Sequence, residues 1–234
     1  MEYSVVIPVY NEEASLAILQ ERLNKARREL PEESEVVYVN DGSIDKTSEI
    51  LREIARNMPE VKIVTLSKNL GKSSALRAGF KTARGKWIIT LDADLQNHPE
   101  DIVTLLRYKD NFDFIGGIRV DRKDPFTRMI ASGIARFFRM MLLGDTTRDM
   151  GCGLTVFRRE ILDTLVFFRN FHRFFTYLVR IEGFSIKEVP VLHSPRRFGQ
   201  SHSRILKRGV EGVFDLFGVL WLKSRLIKKD DQHY

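Results

Sequence analysis

Asp92-Ala93-Asp94, set directly after the apolar run Trp87–Leu91, is the sharpest chemical feature of the chain. Two carboxylates spaced i, i+2 on a turn can face one cation, and Mg²⁺ or Mn²⁺ takes oxygen ligands and bridges readily to phosphate. A lone pair of this kind is common. This one is singled out by its place at the end of a buried strand pattern. Three other polar groups follow apolar runs in the same way: Tyr10-Asn11-Glu12 after Tyr3–Val9, Asn40-Asp41-Gly42-Ser43 after Val36–Val39, and Ser67-Lys68-Asn69 after Val61–Leu66. Asp41 stands where a carboxylate could read a base or ribose edge, although Asn40–Ser43 taken alone fits a β-turn and helix cap equally well. One such loop is ordinary turn chemistry. Several that converge with acid and amide side chains make a site.

The elements that must position these loops alternate. Helix-period segments are predicted over Glu13–Leu30, from a Ser43 or Asp45 cap to about Met58, over Lys72–Arg84, and from Pro99 through Leu106. A fifth strand is predicted over Phe112–Ile118. Strands alternating with helices argue for an α/β protein with a mostly parallel sheet covered on both faces. In such sheets ligands sit at the carboxyl ends of the strands.

The second half reads differently. Pro125–Leu143 is an amphipathic helix with Phe126, Ile130, Ile134, Phe137 and Met141 on one side and Arg128, Ser132, Arg136 and Arg139 on or near the other. Gly153–Phe157 and Ile186–Val191 read as strands, and Arg159–Leu165 and His172–Glu182 as helices. Arg196–Ser203 is a polar, basic loop. Ile205–Ile227 is a final amphipathic helix with Leu206, Val210, Val213, Phe214, Phe217 and Trp221 on one side.

Length and composition bound the answer. The 234 residues are 43% hydrophobic and 29% charged, which suits one sizeable globular domain with appendages and excludes a disordered chain. A single cysteine, Cys152, excludes a disulfide-stapled module and suits a reducing compartment. The net charge of +7 is unevenly spread: residues 1–117 sum to −3 and residues 118–234 to +10. A basic second half suits an anionic partner: a phosphorylated substrate, an anionic lipid surface or nucleic acid. No secretory leader is read at Met1–Tyr10, and no run approaches the roughly 20 apolar residues of a spanning helix. The longest candidate, Gly212–Leu222, is short and contains Asp215. No G-x-G-x-x-G follows the first strand, which speaks against a nicotinamide enzyme.

Taken together the motifs resemble the family 2 glycosyltransferases of the GT-A fold, a Rossmann-like nucleotide-binding architecture. The resemblance rests on Val6-Ile7-Pro8-Val9-Tyr10-Asn11-Glu12, Asn40-Asp41-Gly42-Ser43, Asn69-Leu70-Gly71-Lys72 with Gly79, and Asp92-Ala93-Asp94-Leu95-Gln96 followed by Pro99-Glu100, in family order across roughly residues 3–222. The Asp92–Glu100 block is similar to the polyprenyl-phosphate branch, and Arg148-Asp149-Met150-Gly151-Cys152-Gly153 looks more like its bacterial undecaprenyl-phosphate members than its dolichol members. Two positions depart from the pattern: Asn40 replaces the first residue of a usual Asp-Asp pair, and His202 stands where the late loop usually has Lys, with Arg204 nearby. Many relatives carry transmembrane helices after the catalytic domain, and none is read before Tyr234.

The resemblance implies roles. Pro8, Tyr10, Glu12 and Asp41 would cradle the base and ribose of a UDP- or GDP-sugar, with Lys72, Ala93, Arg196 and Ser201 also lining the donor. Asp92, Asp94 and Gln96 would hold Mg²⁺ or Mn²⁺ and the diphosphate. Arg119, Arg128 and Ser132 would grip the phosphate of a polyprenyl phosphate acceptor. Asp149 would lie near the reacting sugar, so that Asp94, Asp149 and Arg119 form the catalytic set. The implied activity is metal-dependent, inverting sugar transfer to undecaprenyl or dolichyl phosphate. The expected organisation is a catalytic domain over 1–203, including the interfacial helix 125–143, and a basic membrane-associating helix and tail over 204–234. Trp221 beside Lys223, Arg225, Lys228 and Lys229 reads as a headgroup anchor. The expected location is peripheral, on the cytoplasmic face of the membrane, with apolar faces that would allow a homo-oligomer and with no nucleic-acid partner.

Two other readings remain open at this stage. A soluble family 2 transferase acting on a glycan hydroxyl would need a well-placed base. A non-catalytic binding module would leave Asp41, Asp92 and Asp94 without purpose. Cys152 reads as a small buried residue, and the Phe-rich stretch Phe167–Phe175 as packing in preference to a sugar platform.

Overall fold

A computed structural model describes residues 1–30, 32–120, 126–195 and 205–226; for 126–132 and 205–210 the backbone alone is described. The elements run β1 (Tyr3–Val9), α1 (Leu16–Arg28), β2 (Ser34–Asn40), α2 (Thr47–Asn57), β3 (Val61–Thr65), α3 (Lys72–Thr82), β4 (Trp87–Thr90), α4 (Asp101–Leu106), β5 (Phe114–Arg119), α5 (Phe126–Leu143), β6 (Thr155–Arg158), α6 (Ile161–Thr164), a 3-10 turn (Phe171–Arg173), α7 (Phe175–Ile181), β7 (Ile186–Val191) and α8 (Ile205–Arg225).

One seven-stranded sheet has the order β3-β2-β1-β4-β6-β5-β7. β3, β2, β1 and β4 are mutually parallel, β6 is antiparallel to both its neighbours, and β5 and β7 are parallel to each other. Alternate residues of β1 feed opposite layers. Val5, Ile7 and Val9 pack with Leu16, Leu19 and Leu23 of α1, while Val6 packs with Ala75, Leu76 and Phe80 of α3. Pro8 interrupts a central strand without losing a ladder bond, because it lies past Val6–Thr90, the last β1–β4 pair.

The topology places the loops. The chain leaves β1 toward β2 on one side and returns through α3 to β4 on the other, so the crevice between the β1 and β4 ends is a switch point. β6 is reversed, with Thr155 opposite Thr90. Its leading segment, residues 149–154, therefore enters the sheet where β4 exits. β5 ends at Arg119 on the same edge.

Several element bounds differ from the sequence expectation. The fourth helix starts at Asp101, since Pro99 is still in a turn closed by Asp101 N–H on His98 O and Ile102 N–H on Pro99 O. The predicted helix His172–Glu182 is a 3-10 turn and a separate α-helix joined at Phe174. The strand predicted from Gly153 begins at Thr155. Phe171, Phe174 and Phe175 are buried, and Phe175 meets Phe157 edge-on with ring centroids 4.9 Å apart, so the aromatic stretch is core.

Candidate functional site

One side of the candidate site is built from loops that hold one another. Asn11 N–H donates to Ser43 Oγ at 3.0 Å, and Ile44 N–H returns to Asn11 Oδ1 at 2.9 Å. Asn11 sits at φ +53°, a conformation Asn tolerates. Glu12 N–H donates to Thr47 Oγ1, and its carboxylate accepts from Ser15 Oγ at 2.9 Å. Asn40 bonds Ser48 and the Ser43 amide, so an amide side chain suits this position better than a second carboxylate would. Asp41 accepts from the Leu70 and Gly71 amides, each at 2.8 Å. Burial pushes its carboxyl above the usual range, and those two amide bonds offset only part of that cost. Gly42, at φ +69°, lies so close to the Lys68–Asn69 backbone that a Cβ would fall 2.5 Å from the Lys68 carbonyl carbon. The loops after β2 and β3 thus close over each other, backbone on backbone.

After β4 the chain alternates. Leu91, Ala93, Leu95 and Asn97 are buried, while Asp92, Asp94, Gln96 and His98 are half-buried. Asp92, Asp94 and Gln96 therefore share the open side of the loop. Leu95 adopts φ +61° with its side chain fixed in the core, an uncommon conformation for leucine that costs about 1–2 kcal/mol. Gln96 N–H donates to Asp94 Oδ1 at 3.2 Å. Lys72 Nζ, on the first turn of α3, meets Asp92 Oδ1 at 2.5 Å. The donor set of this face is two carboxylates and one amide oxygen. It fits a hard divalent cation that takes its remaining ligands from a diphosphate. Among the described residues no three His, Cys, Asp or Glu side chains cluster as a complete cage.

The third wall is the segment before β6. Asp149 and Arg119 form a two-pronged pair, Nε to Oδ2 and Nη2 to Oδ1, each 2.7 Å, and the Arg119 and Gly151 amides add bonds at 3.1 and 3.0 Å. Burial opposes the Asp149 charge, but the Arg119 guanidinium and these amides outweigh it and hold the carboxyl below the usual carboxylate range. Two glycines let this segment reach both flanks. A Cβ on Gly153 would collide with the Asp92 carboxylate, and one on Gly151 would fall 2.5 Å from Arg119 Nη2. Cys152 lies between them; burial pushes its thiol up to about 12, which leaves it inert as a nucleophile. Ser194 N–H donates to Gln96 O at 2.9 Å and Ser194 Oγ bonds His98, so the described chain after β7 reaches the Asp92–Gln96 loop just before Arg196.

The structure thus brings Pro8, Tyr10, Glu12, Asp41, Lys72, Asp92, Ala93, Asp94, Gln96, Arg119 and Asp149 to one edge of the sheet. Arg196, Ser201, His202 and Arg204 lie outside the described residues. For Arg128 and Ser132 the structure describes the α5 backbone and not the side chains. Lys72 meets the Asp92 carboxylate, and Nε and Nη2 of Arg119 are engaged by Asp149.

The family model of glycosyl transferase family 2 matches residues 4–166. The chain belongs to that family. It is 39% identical over 220 residues to an undecaprenyl-phosphate 4-deoxy-4-formamido-L-arabinose transferase of Pectobacterium carotovorum subsp. carotovorum (strain PC1), covering 93% of this chain and 67% of the relative. A protein of the same description from Yersinia enterocolitica serotype O:8 / biotype 1B is 38% identical with the same coverage. The chain thus spans about two thirds of the length of these relatives. Among solved structures, it is similar to glucosyl-3-phosphoglycerate synthase from Mycobacterium tuberculosis, crystallised with Mn²⁺ and UDP-glucose, with a TM-score of 0.66 and 20% identity over 97% of this chain and 80% of that one. S. aureus TarS 1-349 gives 0.67 and 19% over 100% and 68%. The fold is GT-A.

Sequence reasoning missed some of the residues that shape this candidate site. Glu188, on β7, accepts the Arg148 amide at 2.8 Å and the Asp149 amide at 3.4 Å, and Ser73 Oγ pairs with His172 Nδ1 at 2.8 Å beside Lys72. No local pattern announces contacts across 40 or 99 residues. Gly151 and Gly153 were legible as a motif, but not as the clearance that lets one segment touch Asp92 and Arg119 together.

Proposed function

We propose that the chain transfers a sugar from a nucleoside-diphosphate sugar to the phosphate of a polyprenyl phosphate, at a membrane surface. The observation that carries this reading is the Asp149–Gly153 segment, which abuts the donor carboxylate Asp92 through Gly153 and the Arg119–Asp149 pair through Gly151. Donor and acceptor sides would then meet at one strand end. Asp92, Asp94 and Gln96 would hold Mg²⁺ or Mn²⁺ against the donor diphosphate. Bound there, the cation supplies charge neutralisation for the departing nucleoside diphosphate. Asp41 and Glu12 stiffen the base and ribose loops.

The acceptor chemistry agrees with the state of Asp149. Held below the usual carboxylate range by Arg119, it is ionised at neutral pH and is a poor proton acceptor. A glycan hydroxyl would need a base. A phosphate monoester, with a second pKa of about 6, is already largely ionised and attacks without one. Asp149 is then suited to stabilise positive charge at the anomeric carbon and to orient Arg119, and the direct in-line attack inverts that carbon.

The membrane reading rests on α5 and α8. Ile134, Phe137 and Met141 of α5 and Val213, Phe214, Phe217 and Trp221 of α8 are exposed, whereas Leu216 and Val219 of α8 pack into the core. Asp215 turns inward to Asn170 Nδ2 at 3.0 Å and so does not interrupt the apolar face. No helix among the described residues is long and apolar enough to cross a membrane. These faces would lie on the cytoplasmic leaflet, as peripheral interfacial helices. They would equally suit pairing between copies at that surface.

The test uses purified protein, Mg²⁺ or Mn²⁺, undecaprenyl phosphate in detergent, and a panel of nucleotide sugars. UDP donors precede GDP donors, and the relatives' 4-deoxy-4-formamido-L-arabinose heads the panel. A glycolipid found by mass spectrometry with wild type and absent with Asp94→Ala is expected. Metal-dependent nucleotide binding without any lipid product would overturn the acceptor and favour a soluble transferase.

A further inference from the structure

Four residues before Asp149, a carboxylate is buried that no part of the transfer chemistry uses. Asp145 has no exposed side-chain surface. Its Oδ1 accepts from Thr147 N–H at 2.9 Å, Thr147 Oγ1 at 2.6 Å and Arg180 Nη1 of α7 at 3.1 Å. Its Oδ2 accepts from Arg139 Nε, one turn before the end of α5, at 3.2 Å. Arg139 also reaches the Thr147 carbonyl at 3.5 Å.

An apolar residue would close this corner with less desolvation cost, because buried ion clusters seldom gain net stability over well-packed apolar side chains. What the charge cluster does supply is geometry. It joins three things that apolar packing would join loosely: the end of α5, the turn at 145–147, and α7. One residue upstream of Gly144, the Leu143 carbonyl accepts from Tyr177 Oη at 3.1 Å and from Lys223 Nζ of α8 at 2.9 Å. Just downstream, Glu188 holds the Arg148 and Asp149 amides. The two exposed helices and the Asp149–Arg119 pair are therefore tied to one corner. Before this corner α5 runs outward as a continuous helix, with residues 133–138 exposed on every side. The direction of the whole helix is set at its C-terminal turn, and Arg128 stands about 16 Å up the axis from Arg139 at 1.5 Å per residue.

We propose that Asp145 is a positioning residue for the acceptor: it registers α5, and through it the acceptor phosphate, against Asp149 and Arg119. This rests on the polyprenyl-phosphate reading above. A tilt at the corner is magnified along the helix, whereas among the described residues the loops on β1, β2 and α3 share no hydrogen bond or ion pair with Asp145.

The test compares full-length wild type with Asp145→Asn, which keeps the shape and removes the charge, using the sugar donor that wild type accepts. Nucleotide affinity and stoichiometry by calorimetry should stay within about twofold, while kcat/KM for undecaprenyl phosphate falls on the order of 10²-fold, as expected for a misplacement of about 1 Å. Transfer of the sugar to water should fall much less than transfer to lipid. A merely structural role would lower binding stoichiometry, hydrolysis and transfer in one proportion, and that result overturns the proposal, as does unchanged acceptor kinetics. If Asp145→Asn does not fold, Arg180→Gln at the more open side of the cluster must show the same split between acceptor and nucleotide. Wild type that binds nucleotide but glycosylates no prenyl phosphate would overturn the acceptor reading and this proposal with it. Wild type that transfers, beside a variant that transfers equally, overturns this proposal alone.

Discussion

Asp41 and Asp149 are both buried carboxylates that accept two backbone N–H bonds, yet their acidities move in opposite directions. Asp41, after β2, accepts from the Leu70 and Gly71 amides and is pushed up by burial. Asp149, before β6, has the Arg119 guanidinium as well and is held down. Amide dipoles soften the cost of burying a charge; a full counter-charge in two-pronged contact reverses it. The same contrast extends to the segments around them. The loops around Asp41 are held by backbone turns and loop amides, the segment from Asp145 to Asp149 by ion pairs, Arg119–Asp149 and Arg139–Asp145–Arg180.

The largest effect should come from the carboxylate that both halves touch. Asp92→Asn removes the partner of Lys72 and a charge facing the diphosphate, and single-turnover transfer should fall by roughly 10²–10³-fold with the fold intact by circular dichroism. Next is Arg119→Gln. It strands Asp149 buried without its counter-ion and should cost about 3–5 kcal/mol in urea unfolding, the usual penalty for breaking one side of a buried pair. Gly153→Ala forces a methyl group into Asp92 and should cost about 1–3 kcal/mol, with weakened donor binding by calorimetry.

The two acidities make a subtler comparison through the pH dependence of stability. Asp149, lowered on folding, contributes stability that is present above the unfolded value of about 3.9 and is lost as pH falls through the lower native value. Asp41, raised on folding, contributes stability that is present below that value and is lost as pH rises through its native one. Relative to wild type, Asp149→Asn should therefore lose ground as pH rises from acid to neutral, and Asp41→Asn should gain it. Slopes of the same sign would show that the two environments do not differ as described. The smallest effect on folding belongs to the exposed face: Phe214→Ser with Trp221→Ser should shift stability by no more than about 0.5 kcal/mol each, yet should abolish co-sedimentation with anionic vesicles.

The sequence alone determined the strand-end loops of the first half because their signals are local. Apolar runs ended by Asn-Asp-Gly-Ser or Asp-Ala-Asp mark strand ends, and a strand end is where an α/β sheet binds ligands. Gly42 and Gly71 stand where positive φ is needed, and each loop's chemistry lies within a few residues of its strand. Helix faces were legible for the same reason: Phe137, Met141, Phe214 and Trp221 recur at helical spacing and are exposed on α5 and α8. Only the tertiary structure decided what those faces and loops meet. The reversal of β6 brings Gly153 against Asp92, Glu188 reaches the Asp149 amide from β7, and Arg180 reaches Asp145 from α7. These partners lie 35 to 61 residues apart in the chain, and period or spacing encodes nothing at that range. A carboxylate's neighbours in sequence tell where it stands, but its acidity depends on which distant charge the fold sets beside it.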